Sequence, residues 1–152
     1  SEKQYDMPIN FWSKYCSIIK SNSLNNYYIF ISSYSNSHFF LKTDSDGNCL
    51  VARTFDHLVF YNNTSIFETS TGDLIITSNY SNNVAVLKID SSGNEIWLKT
   101  YKGAYHIFSY DYGILGLLSP NGNYIIAGLT YTYGAFGDYF LMEIDTNGNK
   151  IW

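Results

Sequence analysis

At 152 residues the chain has room for one domain with a real hydrophobic core. Its net charge is −4, it holds only 9 Lys+Arg, and Arg53 is its single arginine, so no basic stripe exists to neutralise phosphates and nucleic acid is excluded as a partner. Charged residues make up 14% and aromatics 18%, the reverse of a disordered chain, and no apolar run is long enough to span a membrane.

β-branched and aromatic residues sit between clusters of Asn, Gly and Ser, which predicts many short strands. Residues 1–16 form an N-terminal segment. Within it Phe11-Trp12-Ser13-Lys14-Tyr15 resembles Ile96-Trp97-Leu98-Lys99-Thr100, which makes it a candidate closing strand. Strands are then expected at 17–21, 27–33, 37–43 and 49–55, within a first unit of residues 17–56. A second unit, 57–101, carries strands at 65–69, 73–79, 83–89 and 95–101. A third, 102–152, carries 114–118, 124–130, 138–145 and the beginning of an outer strand at 150–152. Tight turns join the strands, so each unit reads as an antiparallel four-stranded sheet.

The units repeat. Leu74–Tyr101 aligns beneath Tyr28–Phe55 without a gap, matching Ile29 to Ile75, Tyr34 to Tyr80, Lys42 to Lys88, Asp44 to Asp90 and Gly47 to Gly93. In the third copy Gly122-Asn123-Tyr124-Ile125-Ile126 falls under Gly72-Asp73-Leu74-Ile75-Ile76, and five residues are gained near Tyr131–Gly137. The motif common to all three is Asp44-Ser45-Asp46-Gly47-Asn48, Asp90-Ser91-Ser92-Gly93-Asn94 and Asp145-Thr146-Asn147-Gly148-Asn149. It resembles the start of a calcium loop. Such a loop needs Gly at its sixth position and a bidentate Glu at its twelfth; here Gly is fourth, Phe55 is twelfth, and the third position loses its carboxylate in two copies. A hairpin turn explains the residues better: Asp caps local N–H groups, and Gly and Asn accept φ > 0. Metals and cofactors are therefore not expected.

Four-stranded antiparallel units at a period of about 50 residues are the signature of a β-propeller. The run from Asn82 to Tyr101 resembles the secreted bacterial and archaeal propeller repeat "D-Y-x-x-x-K-x-D-x-x-G-N-x-x-W-x-K-T-Y-G". Pro120–Gly128 is similar to that family's "D-G-G-Y-I-I-A-G" strand, and Gly134, Gly137, Asp138 and Tyr139 fit its "G-x-G-x-x-D-Y" run. The first copy departs from the pattern, with Val51 for the Trp and Asn26 for the Gly. The resemblance implies an all-β fold of propeller-type blades, about three in this chain. It also implies scaffold or interaction roles on exported proteins, with no catalytic motif to carry over. Three blades fall short of the four to eight that close a ring, so a partial propeller completed by further blades or by another copy is expected.

In such a meander the tight turns lie on one rim, and the longer loops and linkers on the other. That second rim collects aromatic residues: Tyr34, Tyr80, Tyr131 and Tyr133 between second and third strands, and Tyr61, Tyr105 and His106 in the linkers. Tyr offers a flat apolar body with a polar tip, suited to stacking on sugars or anchoring a protein. These seven residues are the candidate ligand site, with protein, including self-association, or glycan as partner. His38, on a third strand, reads as a packed residue. Cys16 and Cys49 fall too far apart for a disulfide. No nucleophile elbow, phosphate loop or paired-carboxylate motif occurs, so a non-enzymatic module is expected. Alternatives are a structural subunit of a surface filament, layer or virion, and a carbohydrate-binding lectin. N-x-[ST] triplets begin at Asn62, Asn63 and Asn79; with the low charge they point to an extracellular or cell-surface setting.

Overall fold

Five turns share one construction. In the computed structural model, the Asp44 amide donates to the Asn48 carbonyl (3.0 Å) and the Gly47 amide donates to the Asp44 carbonyl (3.1 Å). The same pair of bonds recurs at Thr69–Asp73, Asp90–Asn94, Ser119–Asn123 and Asp145–Asn149. The glycines of these turns have φ between 77° and 88°, the left-handed region that side chains disfavour. This is a type I turn followed by a left-handed glycine bulge, a common hairpin closure. The structure describes residues 2–5, 13–22, 24–33, 37–56, 58, 64–80, 83–102, 111–130 and 137–152.

The described residues form eleven strands and no helix. β1 (Ser13–Lys20), β2 (Tyr27–Ser33), β3 (His38–Thr43) and β4 (Cys49–Phe55) form the first sheet, in that order. β5 (Ser65–Glu68), β6 (Leu74–Tyr80), β7 (Asn83–Ile89) and β8 (Glu95–Tyr101) form the second. β9 (Asp111–Leu118), β10 (Tyr124–Thr130) and β11 (Asp138–Ile144) form the third. All neighbours are antiparallel. A bridge between Ile144 and Lys150, with bonds from the Glu143 amide to the Trp152 carbonyl and from the Ile151 amide to the Glu143 carbonyl, starts a fourth strand on the third sheet. β1 begins at Ser13 and pairs with β2, so Ser13, Lys14 and Tyr15 belong to the first sheet; Phe11 and Trp12 lie outside the described residues.

The register corrects the gapless repeat alignment. Tyr28 stands opposite Lys42, as Ile75 stands opposite Lys88. Tyr28, not Ile29, is therefore the counterpart of Ile75, because the first copy has one more residue between β2 and β3. A slip of one residue moves every side chain to the other face. With that slip removed, the sheets superpose face for face: Tyr28, Phe40 and Lys42 correspond to Ile75, Val86 and Lys88, and these to Ile125, Leu141 and Glu143. The gain of five residues near Tyr131–Gly137 is confirmed, since Tyr124 pairs with Ile144 where Leu74 pairs with Ile89.

The sheets stack face to face in chain order. Tyr28, Phe30 and Phe40 of the first pack with Leu74, Ile76, Ala85, Leu87 and Ile89 of the second. The other face of the second sheet, Ile75, Val84 and Val86, packs with Tyr124, Ile126, Met142 and Ile144 of the third. The middle sheet is covered on both sides, so β6 is buried from Leu74 through Asn79, whereas β10 alternates buried and half-buried residues. His38 is fully buried and stacks on Phe30 (6.1 Å between ring centroids). Polar links join the first two sheets: the Ser17 hydroxyl donates to the Thr64 carbonyl, and the buried Glu68 carboxylate accepts from the Ser21 hydroxyl (2.9 Å) and the Asn22 amide. The first strands of the three sheets border one hollow of about 400 Å³, lined by Tyr15–Ile19, Thr64–Ile66 and Leu115.

Two glycines test how the turns are used. Gly72 has φ +83° and open space where a Cβ would stand. Gly93 has φ +77°, and its Cβ would come 2.6 Å from Phe40 Cδ1 and 2.9 Å from Arg53 Cγ of the first sheet. Gly72→Ala should cost about 1–2 kcal/mol from the backbone alone. Gly93→Ala should cost a further ~1–3 kcal/mol of overpacking. Urea denaturation of the two variants measures the difference; equal losses would mean that Gly93 does not serve sheet packing.

Candidate functional site

Among the described residues, chemistry-bearing side chains gather at the turn rim. Asp44 Oδ1 accepts the amides of Asp46 (2.9 Å) and Asn48 (2.7 Å), and Oδ2 accepts the Asn48 side-chain amide (2.8 Å). Asp90 does the same with Ser92 and Asn94, and Asp145 with Asn147 and Asn149. Both oxygens of each carboxylate are thus engaged in holding a hairpin, as the turn reading expects. These donors favour the ionised form. The Asn48 side chain and amide hold the Asp44 carboxyl below its ordinary value, and the Asn149 amide and side chain do so for Asp145. At Asp90 burial pushes upward, but the Asn94 and Ser92 donors outweigh it and the net shift is also down.

A cation from a neighbouring segment stands against each turn and adds to the lowering: Lys3 for Asp44, Arg53 for Asp90, Lys99 for Asp145. Their Cγ atoms lie 3.2, 2.9 and 2.9 Å from where Gly47, Gly93 and Gly148 would carry a Cβ. Two residues after Lys3 and Lys99 comes a tyrosine that reaches the same turn. Tyr5 donates its hydroxyl to the Gly47 carbonyl (2.5 Å), and Tyr101 donates to that of Gly148 (2.9 Å). Burial pushes the Tyr101 phenol well up, with Asp145 adding to it, so it stays a donor. Arg53 and Lys99 sit on the outer strands β4 and β8. Lys3 and Tyr5 belong to no described strand, yet make the contacts that an outer strand makes on the next sheet.

An apolar surface lies at the far side of the third sheet. Leu115, Leu117, Tyr139 and Leu141 are 51%, 48%, 85% and 61% exposed. Leu115, Ala127, Gly128, Tyr139, Phe140 and Leu141 line a groove of about 520 Å³. By register Tyr139 and Leu141 occupy the places of Val84 and Val86, which the third sheet covers in the middle one. The same face carries Glu143 in the place of Lys88. Lys88 bridges to Asp73 (3.1 Å); Glu143 accepts the side-chain amides of Asn121 (2.8 Å) and Asn123 (2.9 Å) and the Trp152 indole N–H (2.6 Å). The two amides hold its carboxyl below the ordinary glutamate value, and the indole adds to this.

Of the seven residues expected to form a ligand rim, Tyr34, Tyr61, Tyr105, His106, Tyr131 and Tyr133 lie outside the described residues. Tyr80 ends β6, half-buried, and packs against the core between the first two sheets. Cys16 and Cys49 are free and exposed. They sit on β1 and β4, opposite edges of one sheet whose edge strands alone lie about 14 Å apart, and the register offsets them further along the strands. Burial pushes the Cys16 thiol up, away from the thiolate that nucleophilic chemistry uses. Asn79 is 1% exposed, so that triplet is closed to a glycan in the folded chain; Asn62 and Asn63 lie outside the described residues. Among the described residues no helix is long and apolar enough to cross a membrane.

No protein-family model matches this chain. No curated protein matches it closely enough to count as a relative.

The lowered carboxylates fix the acid behaviour. A group whose folded value is depressed stabilises the fold above its ordinary value, near 3.8 for Asp, and loses that contribution as pH falls through the folded value. The urea midpoint should therefore stay flat from neutral pH to about pH 5 and fall below about pH 4. Asp145→Asn should start lower at neutral pH and lose less on acidification. An equal acid loss in the variant would show that Asp145 takes no part.

Proposed function

We propose that the chain is a non-enzymatic assembly and binding module of propeller type, with an exported or surface-exposed setting. The observation that carries this reading is the open face of the third sheet. Its apolar residues stand at positions that the middle sheet buries against a neighbour, so the face has the composition of an interface. A monomer leaves Leu115, Leu117, Tyr139 and Leu141 together in water, and patches of this kind mark interaction sites. The propeller arrangement draws support from three sheets of one plan stacked in chain order, with their first strands around a common hollow.

The chemistry of the described side chains favours assembly over catalysis. Asp44, Asp90, Asp145 and Glu143 each accept several hydrogen bonds and hold their protons weakly. A general acid needs the opposite, a carboxyl whose pKa is raised toward neutrality. The repeat family that the Asp-x-x-Gly-Asn turns resemble points the same way.

Sedimentation velocity tests the reading. The wild-type chain should associate, and Leu141→Asp should sediment as a 17.4 kDa monomer, because a charge at the centre of the face must then be desolvated. A wild-type chain that stays monomeric at its highest soluble concentration removes the proposal.

A further inference from the structure

The glycine turns of one backbone plan divide into two kinds. Among the described residues nothing lies within 4 Å of where Gly72 or Gly122 would carry a Cβ. The three Asp turns each hold a cationic stem at that point, from Lys3, Arg53 or Lys99. On Gly47 and Gly148 a tyrosine two residues beyond the lysine adds its hydroxyl to the glycine carbonyl. The same pair of contacts thus forms twice, although the segments that make it differ in kind. Lys99 and Tyr101 are carried by β8, which is anchored along its length to β7. Residues 2–5 belong to no described strand.

We propose that the Gly47 turn is a peptide-recognition site for an extended segment with Lys and, two residues on, Tyr, and that residues 2–5 occupy it as an exchangeable ligand. The site has three parts. Asn48 Oδ1 accepts the Lys3 ammonium (2.9 Å), while Asn48 Nδ2 donates to Asp44 Oδ2 (2.8 Å). The Asp44 carboxylate thereby turns the amide oxygen toward the cation. Gly47, at φ +78°, leaves room for the Lys3 stem, whose Cγ comes 3.2 Å from where a Cβ would stand. The Gly47 carbonyl takes the Tyr5 hydroxyl (2.5 Å). A match at positions i and i+2 selects an extended segment, because there alternate side chains point to one side.

The two lysine–tyrosine pairs differ in what else holds them. β8 keeps its place through its ladder. The contacts that fix residues 2–5 come from side chains, on a segment exposed at residues 2–4 and half-buried at Tyr5. Exposed charge contacts and single hydrogen bonds hold weakly. Tethering keeps the segment seated by raising its effective concentration. An extended Lys-x-Tyr segment of another polypeptide presents the same groups and competes for the same turn. This site lies on the turn rim of the first sheet, so it stands apart from the open face of the third.

Nuclear magnetic resonance with a synthetic peptide reads the recognition directly. The probe is Ser-Glu-Lys-Gln-Tyr-Asp, the sequence of residues 1–6. The full chain carrying Lys3→Ser and Tyr5→Ser, isotopically labelled, offers the Gly47 turn without its own ligand. Adding the peptide should move the Gly47 and Asn48 amide signals saturably toward their wild-type positions, and leave those of Gly72 and Gly122 in place. In the wild-type chain the tethered segment should block the free peptide. A peptide with Phe for Tyr should bind the variant several-fold more weakly. Gly47 and Asn48 signals that stay still up to the solubility limit of the peptide overturn the proposal. So do equal movements at Gly72 and Gly122, or an equal response to a peptide with Ser in place of both Lys and Tyr. Unchanged Gly93 and Gly148 signals show that the double variant is folded. Should it not fold, Tyr5→Phe alone supplies the test. The Asn48 amide nitrogen shares a peptide group with the Gly47 carbonyl and should shift once that carbonyl loses its donor; an unmoved signal overturns the recognition.

Discussion

A sheet that is apolar on both faces needs two neighbours, and this governs the whole molecule. Leu74, Ile76 and Leu87 on one side of the middle sheet, and Ile75, Val84 and Val86 on the other, are all buried. Each fully buried aliphatic side chain contributes about 1.5–3 kcal/mol, so neither face of this sheet could be left in water without large loss. Burial on both faces also explains why β6 lacks the alternation of a half-solvated strand. Even Thr77, Ser78 and Asn79 are buried there. The first and third sheets are made to the same plan, and each has one such neighbour among the described residues.

Apolar stacking alone does not fix how sheets sit on one another, because it is non-directional. The turn rim supplies direction. Each Asp turn presents a glycine bulge into which the preceding segment's Lys or Arg stem fits, and the charge of that side chain faces the Asp carboxylate. Tyr5 and Tyr101 add a hydrogen bond to the bulge carbonyl. Lys42 completes the link from the other side, reaching the Ser91 carbonyl of the second sheet (3.3 Å) while its ammonium lies 5.5 Å from the centre of the Tyr28 ring. Exposed ion pairs contribute little by themselves. Here the cations matter through their stems, which pack against backbone.

Most of this was legible in the residues. Asp-x-x-Gly-Asn encodes its turn completely, because carboxylate, glycine and amide each have one local task. The strands follow from β-branched runs between those turns. What failed was the register of β2. Tyr28-Ile29 and Ile75-Ile76 are apolar on both faces, so a one-residue slip leaves the pattern equally good, and only the pairing with Lys42 and Lys88 resolves it. The reach of Lys3 and Tyr5 to the Gly47 turn was missed for a related reason. Lys3-Gln4-Tyr5 matches Lys99-Thr100-Tyr101 in only two residues, too few to recognise without the turn they grip. The Asn79 triplet misled because a sequon carries no information on burial, and Asn79 is inside.

The two rims differ in what they can tolerate, and the repeats show it. The turns between third and fourth strands have one length in all three copies, with Asp44, Asp90 and Asp145 each four residues ahead of the Asn whose amide they accept. Each such turn is a packing partner of an adjoining segment, so an added residue would displace the glycine from Lys3, Phe40 and Arg53, or Trp97 and Lys99. The connections between second and third strands differ in length from copy to copy. One residue is added in the first copy and five in the third, while the strands on either side keep their pairing. Length variation thus collects at the rim away from the Asp turns. That rim also carries Tyr131 and Tyr133, in the longest of these insertions. A rim whose loops can lengthen without moving the sheets can acquire new contacts at little cost in stability.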